Sequence, residues 1–177
     1  MELIKAIVLI FTIIERIAEL FVSRRNQQWS LARGGREFGQ RHYPFMVAMH
    51  IAFLISMAIE GFFFSEGILS AFFWPLLVLI VLAQIVRWWV IITLGFQWNT
   101  RVIIVPGMKR VGAGPFRFFN HPNYIVVIVE TIALPLFLGA WKTAIIFSIL
   151  NAMLLRVRIQ VENQALRELD NVAAKSI

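Results

Sequence analysis

Apolar residues run through the chain in five blocks, and most polar residues gather between them. The first block covers roughly Leu3 to Val22, the second Tyr43 to Phe64 and the third Ala71 to Gly95. A helix needs about 20 apolar residues to cross about 30 Å of hydrocarbon, so each of these predicts a spanning helix. The fourth block, Tyr124 to Leu138, and the fifth, Trp141 to Leu155, are shorter and are separated only by Gly139 and Ala140. They predict a tight helical hairpin. Beyond the fifth block the chain continues without Gly or Pro, which predicts one long helix that leaves the membrane and enters the cytoplasm.

The blocks are not uniformly apolar. Along the first predicted helix, through the first block and just past it, Thr12, Glu15, Arg16, Glu19, Ser23 and Asn26 recur at spacings of three and four, which places them on one helical face. Gln84 and Arg87 share a face of the third block, His50 lies in the second, and Glu130 stands midway along the fourth. A charge at the centre of the hydrocarbon costs at least about 2.5–3.5 kcal/mol on insertion scales. These groups are therefore expected to face the bundle interior and to find partners there. Two readings stay open: Glu15 or Glu19 pairs with Arg87 to lock helices together, or the groups line a polar cavity open to the cytoplasm. Their common depth favours the cavity.

Composition agrees with a membrane protein. Of the 177 residues, 59% are hydrophobic and 15% charged, with mean hydropathy +0.76, against about 25% charged in soluble domains. The absence of cysteine excludes disulfides, thiolate metal sites and a cysteine nucleophile. His42, His50 and His121 lack metal-site spacing, so no metal centre is expected. The net charge of +7 fits basic loops against anionic lipid rather than nucleic acid. Thirteen of the 17 Lys and Arg residues fall in the two long loops and the tail. By the positive-inside rule this predicts an all-α integral membrane protein with five transmembrane helices, the N-terminus outside and the C-terminus cytoplasmic. The first block is not a cleavable signal peptide, because it lacks a basic start and carries Glu15, Arg16 and Glu19. The chain reads as a single domain over 1–177: a three-helix bundle over 1–95, then a loop, hairpin and tail over 96–177. Oligomeric state is not legible.

The second long loop carries turn signals at Pro106-Gly107 and at Gly112, Gly114 and Pro115. Between the bends and the third block, Arg101 to Val105 has the β-branched pattern of a short strand. Asn120-His121-Pro122 then opens the fourth helix, with proline in the first turn. A helix start offers backbone N–H groups to an anion. In the tail, Leu155, Ile159, Leu166 and Leu169 form an apolar stripe, with Arg158 and Glu162 on or beside it, four residues apart. That spacing suits an ion pair on one helix, and the tail itself suits a helix lying on the membrane surface. A charged pair on the buried side equally suits a built site.

Two motifs carry a resemblance. Gly114-Pro115-Phe116-Arg117 with His121-Pro122-Asn123-Tyr124 resembles the Gly-Pro-Tyr-Arg and Arg-His-Pro-x-Tyr pattern of the isoprenylcysteine carboxyl methyltransferase family. The run from Arg158 to Leu166 resembles that family's Arg-Ile-x-x-Glu-Glu-x-x-Leu, and Glu130 falls where the pattern allows. The resemblance covers about residues 94–166. The N-terminal third, with Glu15-Arg16-Ile17-Ala18-Glu19-Leu20 and the stretch from Glu37 to Tyr43, resembles a bacterial branch associated with methylating long-chain alkylpyrones. Asn120 stands where the family has Arg, Asn163 replaces the second Glu, and the family's later aromatic residues are absent. These departures bear on the acceptor more than on the cofactor.

The resemblance implies an O-methyltransferase that uses S-adenosylmethionine in the membrane, on a lipid-tailed acidic acceptor such as an isoprenylcysteine carboxylate or an alkylpyrone hydroxyl. It implies cofactor contacts at Gly114, Pro115, His121, Pro122, Asn123, Tyr124 and Glu130, with Arg158 and Glu162 at the reacting end. Glu15, Arg16, Glu19, His50, Arg87 and Trp98 are then expected on the substrate side, and the site is expected to face the cytoplasm of a bacterial inner membrane. Other readings remain: a phospholipid methyltransferase, an NADPH-dependent sterol-type reductase, or a non-enzymatic small transporter or assembly factor. The chain shows neither the repeat symmetry nor the broken helix pair of a transporter.

Overall fold

The computed structural model describes residues 1–65 and 70–175, with side chains described as far as Glu168 except at Ser70. Leu169 of the expected tail stripe thus lies outside the described side chains. Five helices account for most of the chain: α1 Glu2–Leu31, α2 Tyr43–Phe63, α3 Ser70–Leu94, α4 Pro122–Leu138 and α5 Trp141–Lys175. Two short strands, β1 Arg36–Phe38 and β2 Val102–Ile104, pair antiparallel. The strand expected over Arg101 to Val105 forms, but its partner lies in the first loop, where the sequence carried no recognised strand signal.

The helix α1 is an amphipath turned inside out. Lys5, Thr12, Glu15, Glu19, Ser23, Asn26 and Ser30 are buried, whereas Leu3, Ile7, Ile10, Phe11, Ile14 and Phe21 are exposed. In water that arrangement would leave a large apolar face uncovered, so it belongs in lipid. The same outward apolar surface continues over α2, α3 and α5. Among the described residues, three helical segments are long and apolar enough to cross a membrane: Gln40–Phe63, Ala71–Gln97 and Trp141–Glu168. α4 has 17 residues, and α1 carries its charged stripe. Length and composition alone thus mark three of the five helices as candidate spans.

Away from the loops the bundle is packed by Met57, Phe73, Ala133, Leu134, Phe137 and Leu138, with the Phe73 and Phe137 rings 4.9 Å apart. The α4–α5 hairpin closes as expected. Gly139 takes φ +89°, a left-handed conformation open to glycine, and the Ala140 N–H returns to the Pro135 carbonyl at 2.7 Å. At the same end Glu60 of α2 caps α5. Its carboxylate accepts the backbone N–H groups of Lys142 and Thr143 at 2.9 and 2.7 Å, where a helix start favours a negative charge.

α5 does not lie apart on a surface. It packs against α2, α4 and both strands, with Asn151, Leu155 and Ala165 buried and Arg158, Ile159, Glu162 and Leu166 half-buried along the inward side.

Candidate active site

Both long loops meet at one end of the bundle, and the polar end of α1 holds them there. Asn26 donates to the carbonyls of Gly95 and Trp98 at 3.0 and 2.7 Å. The Ser23 hydroxyl lies 2.7 Å from Asn99 Oδ1 and 2.8 Å from the Thr100 hydroxyl. Arg101 fastens one loop to the other: it pairs with Glu37 at 2.5 Å and sits 3.9 Å from the centre of the Tyr43 ring. Each of these buried side chains makes at least one polar contact, which offsets the cost of burying it.

The fastened loops, the start of α4 and the inner side of α5 enclose a pocket of about 180 Å³. Trp98, Asn99, the β2 strand through Val105, Phe116, Asn120 to Tyr124, Arg158, Glu162 and Leu166 line it. Tyr124 donates its hydroxyl proton to Glu162, and its ring stacks on His121 with centroids 5.4 Å apart. His121 Nδ1 lies 3.3 Å from the other Glu162 oxygen, at an angle short of a hydrogen bond. Arg158 does not turn to Glu162, as the four-residue spacing allowed. It donates to the Thr100 carbonyl at 2.9 Å, touches Met46 Sδ and stands 5.7 Å from the centre of the Tyr124 ring. Buried polar atoms at this pocket lack partners: Arg158 Nε, Asn123 Oδ1 and Asn99 Nδ2. Unsatisfied buried groups are costly, so these atoms make the pocket a candidate ligand site; Arg16 Nε, Glu19 Oε1 and both amide atoms of Gln84, on α1 and α3, are also without hydrogen-bond partners.

The Glu162 carboxylate, 3.3 Å from its Nδ1, raises the His121 pKa above the ordinary histidine value, and this outweighs the lowering caused by burial. A histidine whose folded pKa is raised stabilises the fold fully below the unfolded value of about 6.5 and loses that contribution as pH rises through the folded value. The thermal midpoint in detergent should therefore fall as pH rises from about 6.5. His121→Gln should remove that dependence; an unchanged pH slope in the variant would show that another group carries it.

A second polar cluster lies deeper, between α1, α3 and α4. Arg87 donates through Nε to Glu130 at 3.0 Å, pairs again through Nη2, and meets Glu19 at 3.3 Å. Arg16 pairs with Glu19 at 2.9 Å and Glu15 at 3.1 Å, and Trp88 donates to Glu15 at 2.8 Å. A cavity of about 40 Å³ opens beside it, lined by Arg16, His50, Arg87 and Glu130 among others. His50 donates to the Met46 carbonyl at 2.7 Å. Met46 thus stands between the two clusters, touching Arg158 by its sulfur and His50 by its backbone.

The isoprenylcysteine carboxyl methyltransferase family model matches residues 76–168. The chain belongs to this family. The match spans all the pocket residues named above. The chain is also 42% identical over 156 residues to the uncharacterized protein YpbQ of Bacillus subtilis, covering 88% of this chain and 92% of that one. It is 29% identical over 160 residues to an uncharacterized protein of Haemophilus influenzae, covering 87% and 90%.

Within this family member the expected site residues fall into three groups. His121, Pro122, Asn123, Tyr124, Arg158, Glu162 and Trp98 share the pocket, although Trp98 was expected on the substrate side. Glu130, expected with the cofactor, lies instead in the deep cluster with Glu15, Arg16, Glu19 and Arg87, and His50 borders the same small cavity. Pro115 is buried, and Gly114 packs on α3. Gly114 has φ +57°, and a Cβ there would fall 2.6 Å from the Thr93 hydroxyl and 3.1 Å from the Trp89 ring nitrogen. It sets how closely the loop approaches α3 and does not line the pocket. Asn99, Thr100, Arg101 and Glu37 were not among the expected site residues. The polar residues Ser23 and Asn26, beyond the apolar part of α1, were the available signal.

Proposed function

We propose that the protein is an O-methyltransferase that takes the methyl group from S-adenosylmethionine and places it on a lipid-tailed acidic acceptor. The pocket with its unpartnered Arg158 Nε, Asn123 Oδ1 and Asn99 Nδ2 carries this reading. S-adenosylmethionine, which members of this family use, would supply an electrophilic methyl group on a cationic sulfonium. The donor set fits it: Glu162 and Asn123 suit an ammonium, the edge of β2 offers backbone groups to a base, and Trp98, Val105, Phe116 and Leu166 give apolar walls. His121 and Tyr124 hold the Glu162 carboxylate in place.

Arg158 orients the acceptor. Its guanidinium is fixed by the Thr100 carbonyl, and its planar donor fork suits a carboxylate or an enolic oxygen. Holding two reactants in line is the main catalytic task. A carboxylate acceptor needs no base; a neutral hydroxyl would pass its proton to Glu162. The apolar outer faces of the helices admit the lipid tail from the side, and the cofactor enters from the loop end. In this reading all five helices span, the N-terminus lies outside, and the pocket opens to the cytoplasm.

Calorimetry on the purified protein in detergent should show binding of S-adenosylmethionine and of its demethylated product, and no binding of NADPH. Heat with NADPH alone would replace this reading by a reductase. Labelled S-adenosylmethionine offered with isoprenylcysteine, alkylpyrone and phospholipid acceptors would then identify the substrate.

A further inference from the structure

At the same end of the bundle as the pocket, but on its outer surface, four side chains form a ladder. Arg25 stands 5.1 Å from the centre of the Phe96 ring, Phe96 stacks on Trp29 at 5.1 Å with planes 15° apart, and Arg33 stands 4.0 Å from the centre of the Trp29 ring. Arg33 also donates to the Trp29 carbonyl at 3.3 Å. Arg25, Arg33 and Phe96 are exposed, so neither guanidinium is used up by a buried partner. The stack limits their separation to at most about 14 Å. Stacking on a ring fixes an arginine while leaving its N–H edges free. The ladder lies where the exposed apolar face of α1 ends and charged loops begin, the level at which lipid phosphates sit and aromatic side chains collect.

We infer that this ladder is a binding site for the phosphate headgroup of an anionic phospholipid, separate from the pocket and from any acceptor. One pre-positioned guanidinium holds the phosphate while the other, at the far end of the stack, adds positive charge at the same surface, and the Phe96 and Trp29 rings cover the adjoining acyl region. The bound lipid also reaches the pocket mechanically. Phe96 lies between Gly95 and Gln97, and Asn26, next to Arg25, holds the Gly95 and Trp98 carbonyls. Trp98 and Gln97 line the pocket, so a lipid clamped on the ladder stiffens the loop that forms its wall.

The site is tested by lipid retention, which does not depend on methyl transfer. Protein exchanged into nanodiscs of equal phosphatidylcholine and phosphatidylglycerol would be released and its retained lipids counted by native mass spectrometry. The wild type should retain phosphatidylglycerol preferentially, and Arg25→Gln/Arg33→Gln should lose that preference, by about fivefold in affinity for each guanidinium removed. Lys109→Gln/Arg156→Gln, which removes two exposed charges elsewhere, should retain it. Equal loss in both double variants would show an effect of net charge alone and overturn the site, as would equal retention of the two lipids by the wild type. Should the first double variant not fold, Arg33→Gln alone against Arg156→Gln alone makes the same distinction. Failure here with intact cofactor binding would leave the methyltransferase reading standing.

Discussion

Replacing Arg158 by alanine should lower kcat by about 10²-fold, the scale of a misplaced reactant, and change affinity for S-adenosylmethionine far less. The expectation rests on how the guanidinium is held. The Thr100 carbonyl and Met46 fix its end, Tyr124 lies beneath it, and Nε remains without a partner. It borders the pocket on the side of Met46, beyond which lies the small cavity at His50, so it stands between a lipid-side approach and the corner built on Glu162. Alanine removes the group proposed to orient the acceptor and leaves the Tyr124–Glu162–His121 corner in place. Arg158→Lys should recover only part of the loss, because an ammonium keeps the charge without the planar fork. Calorimetry and single-turnover assays separate the outcomes. An equal fall in cofactor affinity and turnover would move Arg158 to the cofactor, and unchanged turnover would remove it from the site.

How far the sequence could reach depended on the range of each contact. Helix positions were legible because lipid imposes long apolar runs: α2 to α4 begin and end within a few residues of the apolar blocks, and α5 starts with the fifth block and runs on past it to Lys175. The α4–α5 hairpin was legible because Gly139 is a local signal. The inward stripe of α1 was legible as periodicity, but its two uses were not. Its half nearer the loops, Ser23 and Asn26, bonds to the loop at Gly95 to Thr100. Its middle, Glu15 to Glu19, forms ion pairs with α3 and α4. Each use depends on residues some 70 to 115 positions away, and no spacing within α1 records them. For the same reason Glu130 looked like part of the motif that precedes it, whereas a helix turns it toward Arg87 and away from His121. The pairing of β1 with β2 is a loop-to-loop contact, and three residues of strand are too few to carry a period.

Substituting Arg87 by methionine should destabilise the protein by about 3–5 kcal/mol, the cost of leaving buried charges without their partner. Three carboxylates, Glu15, Glu19 and Glu130, share two guanidiniums in this cluster. Removing Arg87 leaves all three to Arg16, which meets Glu130 only at 3.6 Å. The double variant Arg87→Met/Glu130→Leu should recover most of the loss, since it returns the cluster to the wild-type excess of one carboxylate, with Glu15 and Glu19 both paired to Arg16. Thermal midpoints and denaturation in detergent give the comparison. The same pair of variants separates the two roles open to the cluster. If it only locks α1, α3 and α4 together, the double variant should regain wild-type KM for the acceptor along with its stability. If the cluster receives the acceptor, stability should return while KM stays raised, because no apolar pair can replace the polar lining beside His50. A single variant as stable as the wild type would contradict both, since each requires Arg87 to neutralise carboxylates that lipid and protein together keep from water.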